Sequence, residues 1–255
     1  MSRFWIAVFT LVIGSSIVVA QVVESPTTVP RGAWLLESDL GFANWDRGGH
    51  RGGTLETTEL GVASVFLSVG LTADFDVQFG FDGWIQSEES STDVKTKTAG
   101  WGDFLIRAKW NFVDDEEVGS AWAVLPYLKL PTADAEVGNG ETEPGGALVY
   151  GRPINDDIWV EAMLLFDSLH NETSGREESL FGGIVLGHNV NSTSTVYAEF
   201  LVDWNRDSSG DIPLAFGVGI SPEIMPGCAL DFETLIGVTE DATDLGLAIR
   251  IVWEL

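Results

Sequence analysis

Apolar residues recur at every second position along most of this chain, and helical spacing is nearly absent. In "FDVQFGFDGWI", Phe75, Val77, Phe79, Phe81 and Ile85 fall on one face, and Asp76, Gln78, Gly80, Asp82 and Trp84 on the other. "WGDFLIRAKWNF" sets Phe104, Ile106, Ala108, Trp110 and Phe112 against Asp103, Leu105, Arg107, Lys109 and Asn111. The same rhythm runs through "IWVEAMLLFDS", "TVYAEFLVDW" and "CALDFETLI". It also closes the chain in "LGLAIRIVWEL", where Leu245, Leu247, Ile249, Ile251, Trp253 and Leu255 form an unbroken apolar face. Twelve strands are predicted, at 33–43, 54–70, 75–86, 101–112, 121–130, 146–152, 158–168, 179–189, 195–204, 213–220, 228–237 and 245–255. No boundary or linker divides them, so residues 21–255 read as a single all-β domain.

Alternation alone leaves open which face is buried. A soluble sandwich turns its apolar face inward, whereas an outer-membrane barrel gives that face to lipid and the polar one to its lumen. Three features favour the barrel. The polar face is rich in small residues and mixed charge, as at Gly217, Gly219, Gly246, Ala248 and Arg250, which suits a crowded, curved interior. Tryptophans on the apolar phase, Trp34, Trp110, Trp122, Trp204 and Trp253, fall near strand ends, where an aromatic girdle would lie. The last strand ends the chain, and pairing it with the first would leave no edge unsatisfied in lipid. Connections after odd strands, such as "SEESSTDVKTKTA" and "PTADAEVGNGETEPG", exceed those after even strands, such as "LTAD" and "NVNSTS". An up-and-down antiparallel barrel of about twelve strands would put long loops at one end, and tight turns with both termini at the other.

The opening "MSRFWIAVFTLVIGSSIVVA" has one arginine, an apolar run and a small-residue ending. It reads as a secretory signal peptide, residues 1–20, cleaved after Ala20; a membrane helix is the alternative, disfavoured by the short run and Gly14-Ser15-Ser16. The formal net charge is −26, and −27 once Arg3 is removed (12 − 39). Such a surface repels phosphate backbones and excludes nucleic acid as a partner. Cys228 is the only cysteine, so no internal disulfide forms.

Three stretches carry a likeness. "SVGLTADFDVQFGF" resembles the Gly-Leu-Thr turn between the second and third strands of a bacterial outer-membrane family labelled "MetA-pathway of phenol degradation". "GWGDFLIRAKWNF" resembles its Gly-x-Gly-Asp strand opening, here with Trp101-Gly102-Asp103, and "LPYLKLPTADAEVGNG" its Leu-Pro-Thr-Gly-Asp segment followed by a Gly-x-Gly, with Ala133 in place of the usual glycine. The resemblance implies a monomeric barrel in the outer membrane that passes small, apolar or aromatic solutes. It carries over no catalytic residues, and no cofactor is expected.

Candidate chemistry is confined to the polar phase. Asp76, Asp82, Asp103, Arg107, Lys109, Glu161, Asp167, Glu199, Asp203, Asp231, Glu233 and Arg250, together with Glu254, are expected to face the lumen. They either select cations or polar solutes or form an internal ion-pair network. The pattern leaves open whether a loop or "QVVESPTTVPRG" fills the lumen. The acidic stretches "VDDEEVGS" and "AEVGNGETEPGG" suit a solvated loop better than a calcium site, since neither has EF-hand spacing. His50, His170 and His188 have neither metal-ligand spacing nor a nucleophile partner. The expectations are therefore a passive channel or transporter, with outer-membrane lipid, a small solute and the barrel-assembly machinery as partners and no metal. A closed structural or surface-interaction barrel comes second, and an enzyme third.

Overall fold

The structure, a computed structural model, describes residues 21–48, 54–91, 94–115, 117–171, 175–205 and 212–255. The expected signal peptide, residues 1–20, and His50 lie outside them. Among these residues, fourteen strands succeed one another: β1 (Trp34–Gly48), β2 (Thr54–Gly70), β3 (Phe75–Phe81), β4 (Trp84–Ser90), β5 (Lys95–Trp101), β6 (Phe104–Asp115), β7 (Ser120–Leu130), β8 (Glu143–Pro153), β9 (Ile158–Asn171), β10 (Gly175–Asn191), β11 (Ser194–Asn205), β12 (Leu214–Met225), β13 (Cys228–Gly237) and β14 (Leu245–Glu254). Every strand pairing is antiparallel.

Twelve of these units span the wall, because β3 with β4, and β5 with β6, are each one strand broken in the middle. The wall closes where β1 pairs with both β2 and β14. The closing ladder sets Leu36 opposite Trp253, Leu40 opposite Ile249 and Phe42 opposite Leu247. Closure removes the edge that would otherwise carry bare amides and carbonyls into hydrocarbon.

The large apolar side chains of the alternating phase are exposed, among them Phe79, Phe104, Leu164, Ile184, Leu186, Phe200, Phe216, Ile249 and Trp253. Asp76, Glu199, Asp231 and Glu233 are buried. This inversion of a soluble protein is what a barrel in lipid requires. Trp34, Trp110, Trp122 and Trp253, all exposed, sit near the strand ends that join the tight turns, as the periodicity predicts.

The break in the wall changes two expectations. Gly83 adopts φ +69°, and a side chain there would run into the carbonyl oxygens of Val62 and Ala63. The turn it makes flips the phase by one residue. Trp84, expected on the inward face with Asp82, therefore stands exposed outside and packs edge-on against Trp101 with ring centroids 5.4 Å apart. Phe81 stacks on Phe104 at 4.6 Å beside them. The second correction is β5. Residues 95–100, read from sequence as part of a long connection, form a strand that pairs with β4 from Trp84–Trp101 to Ser90–Lys95. Its Lys and Thr content hides it, because no apolar face marks the alternation.

Inside, bulk is matched by glycine across the ladder. Trp159 lies over Gly187, Tyr197 over Gly219 and Tyr127 over Gly145. A methyl group at any of the three glycines would collide with its ring. The inward phase is also less polar than expected from sequence. Leu105, Leu125, Val149, Met163, Leu165, Phe181, Val185, Leu201 and Leu235 are buried in one continuous cluster.

Candidate functional site: a lumen filled by the N-terminal segment

Residues 21–33 precede the first wall strand and run inside the barrel. They leave it where Arg31 bridges Gly70 and where the Gly32 amide donates to the Gly70 carbonyl at 2.8 Å. Gly70, in the Gly-Leu-Thr turn, admits the segment because any side chain would strike the carbonyls of Val29 and Pro30. Val22 and Val23 are fully buried within the interior apolar cluster. Val23 rests against Gly183, and Pro26 against Gly151.

Charge anchors the segment at mid-wall. Glu24 pairs with Arg107 at 2.7 Å and with Lys109 at 3.4 Å. Lys109 Nζ also donates to the Ser25 and Thr27 carbonyls, at 3.0 and 3.3 Å. The Arg107 guanidinium donates to Gln78 and lies over the Phe66 ring, 5.0 Å from its centroid. Asp76 accepts from the Val29 amide at 2.9 Å and from Gln78 Nε2 at 2.8 Å. Glu199 accepts from the Val22 and Val23 amides, both at 3.3 Å, and Glu233 from the Gln21 amide at 2.9 Å. Burial alone would raise the Glu24 carboxyl, but the Arg107 and Lys109 charges beside it hold it at about 2.

A second cluster seals the broken wall, and it gathers the motif residues. Asp103 accepts from the amides of Thr132 and Ala133, both at 2.7 Å. Lys129 bridges Asp103 at 3.1 Å and Glu143 at 2.6 Å. The Trp101 amide donates to the Asp134 carboxylate at 2.8 Å, and the Asp134 amide to the Trp101 carbonyl at 2.9 Å. The Phe104 amide donates to Thr132 Oγ1 at 2.8 Å. The segment 130–134 thus supplies the partners that β5 and β6 lack at the break. Asp82 accepts from the Asp103 amide at 3.2 Å on the inner side.

A third cluster lies along β1, β13 and β14, where Asp39, Arg250 and Asp231 stand opposite one another. Arg250 pairs with Asp39 at 2.8 Å and Glu37 at 3.6 Å, while the Tyr197 hydroxyl donates to Asp231 at 2.9 Å.

Asp76, Asp82, Asp103, Arg107, Lys109, Asp167, Glu199, Asp231 and Glu233 are buried, and Glu161, Asp203 and Arg250 partly so. They are not one site. Asp76, Arg107, Lys109, Glu199 and Glu233 meet the N-terminal segment; Asp82 and Asp103 belong to the wall seal; Asp231 and Arg250 belong to the third cluster. Asp167 and Asp203 stand apart, with Ser179 Oγ donating to Asp203 at 3.3 Å. Glu254 is the exception, exposed at the end of β14 where the wall has run out. Sequence reasoning missed Lys129, Glu143, Glu37, Asp39 and Glu24. Lys129 sits on the inward phase of "AWAVLPYLKL" and the alternation could have found it; Glu24, outside any strand, carries no such signal. His188 is exposed, and the His170 amide donates to Glu143 at 2.7 Å. Among the described residues, no group of three His, Cys, Asp or Glu could hold a metal ion.

Solved structures with this fold are outer-membrane barrels. The COG4313 outer membrane channel from Pseudomonas putida F1 superposes with a TM-score of 0.71 at 15% identity, covering 91% of this chain and 98% of that one. The translocator domain of the autotransporter NalP from Neisseria meningitidis gives 0.54 at 12% identity, covering 89% and 90%. The NanC porin gives 0.52 at 12% identity, covering 86% and 100%. Identities this low establish the shared fold and nothing finer. Among curated proteins no significant sequence relative is found. The family model described as "Putative MetA-pathway of phenol degradation" matches residues 20–255, and the chain belongs to that family.

Proposed function

We propose that this protein is a passive outer-membrane channel for small apolar or aromatic solutes, held shut by its own N-terminal segment. It would be inserted by the barrel-assembly machinery and act without a cofactor or catalytic group. The observation that carries the reading is the segment itself. A closed wall surrounds a lumen filled by irregular chain, not by wall side chains alone, and that chain is held by hydrogen bonds and ion pairs that can exchange for water. The apolar cluster around Val22 and Val23 would offer a departing segment's place to an apolar solute. The twelve inward residues named from sequence are proposed to line the path so opened.

Conductance in planar bilayers tests this. The full mature chain should be silent or flicker briefly, and a variant lacking residues 21–30 should show stable steps. In the opened form, Arg107→Glu should raise cation preference. A filled lumen also suits a closed structural barrel acting through its acidic loops. That reading gains if the deletion variant folds, as judged by its heat-modifiable band, yet conducts nothing.

A further inference from the structure

We infer that Glu199 and Glu233 form a receptor for the chain's own α-ammonium group, created at Gln21 when the leader is removed. Gln21 N lies 2.9 Å from Glu233 Oε2, and the next two amides, Val22 and Val23, donate to the two oxygens of Glu199. Both carboxyl groups fold over Gly217, whose missing side chain leaves them room. Glu199 is only 1% exposed and Glu233 only 3%, and the two carboxyl groups lie within hydrogen-bond reach of each other. Two buried carboxyl groups this close cannot both be ionised without a counter-charge. Among the described residues the interior ion pairs go elsewhere: Arg107 and Lys109 to Glu24, Lys129 to Asp103 and Glu143, and Arg250 to Asp39 and Glu37.

Hydrolysis of the Ala20–Gln21 bond by signal peptidase adds one water across it. A carboxylate remains on Ala20, and an amine on Gln21 takes up a proton at neutral pH. The single amide hydrogen facing Glu233 becomes three, and the site gains its positive charge. Docking of the segment is thereby made dependent on cleavage and sensitive to where cleavage falls. Cyclisation of Gln21 would abolish the pair, because attack of the α-amine on the side-chain amide expels ammonia and leaves a neutral lactam. The other charged or titratable groups acting on the two carboxyl groups are Asp231 and Tyr197 on β13 and β11 and Arg250 on β14, with Glu24 three positions along the segment itself.

The test is α-amine labelling of the mature protein in detergent micelles by a small amine-selective aldehyde, read on the N-terminal peptide by mass spectrometry. The peptide should begin at Gln21 with a free amine. It should label at least tenfold more slowly folded than after boiling in SDS, and Glu233→Gln should restore most of the rate. Should that variant fail to fold, the wild-type pH profile decides alone. The labelling midpoint of the folded protein should lie above the ordinary α-amino value of about 7.7–8.0. A different first residue, a lactam at residue 21, an unchanged rate in folded Glu233→Gln, or a midpoint at or below the ordinary value would each overturn the inference. None of these readouts requires conductance, so a failed channel reading leaves the result intact.

Discussion

At the scale of single residues, Glu24 holds the most consequential position, since one carboxylate answers two buried cations. Replacing it with Gln removes the ion-pair partner of Arg107 and Lys109, a change costing about 3–5 kcal/mol in a buried setting. The segment should detach, with open probability in bilayers rising severalfold or more. The sign of the Glu24 shift sets the pH dependence. The folded value of about 2 lies below the unfolded one, so the contribution is complete above about pH 5 and fades as pH falls toward 2. Channel opening should therefore be flat in this residue from neutral pH down to about 5 and climb below about pH 4, and Glu24→Gln should lack the climb. Gly187→Leu belongs to the same scale. Its side chain would displace Trp159, costing about 1–3 kcal/mol, read as a lower temperature for loss of the compact gel band. Period two shows which residues face inward along the unbroken strands, and fails at Trp84 and Glu254. It does not show their partners, because Asp76, Glu199 and Glu233 bind backbone amides of a segment that has no periodicity.

At the scale of elements, the broken wall shows both the reach and the limit of pattern reading. β9 to β14 keep the alternation through their central residues, with register shifts only near the ends of β10 and β12, and their predicted cores lie within the observed strands. The period-two pattern runs through β3 and β4 as one ribbon, because Gly83 leaves the apolar spacing intact while reversing the facing of the residues after it. A Gly83→Val variant must abandon φ +69°, a strained state for a β-branched residue. The packing of Trp84 on Trp101 should change, visible as altered tryptophan fluorescence in the folded protein. Asp103→Asn removes the charge that Lys129 answers and weakens the acceptor of two amides. The wall seal should loosen, by about 3 kcal/mol or more for a buried pair broken on one side, and proteolysis should begin within residues 131–142.

At the scale of the whole molecule, the exposed apolar band and the buried charges together require a lipid or detergent surround. The folded chain should migrate faster in SDS unboiled than boiled, and should precipitate when detergent is withdrawn. The closing ladder also bears on how the barrel is made. Asp39 and Arg250, joined across the seam, are separated by 211 positions, and contacts so remote form late and slowly. An arrested chain lacking either end would present raw hydrogen-bonding edges and seek partners for them in a neighbour. Secure biogenesis must therefore shelter those edges until the final ribbon arrives.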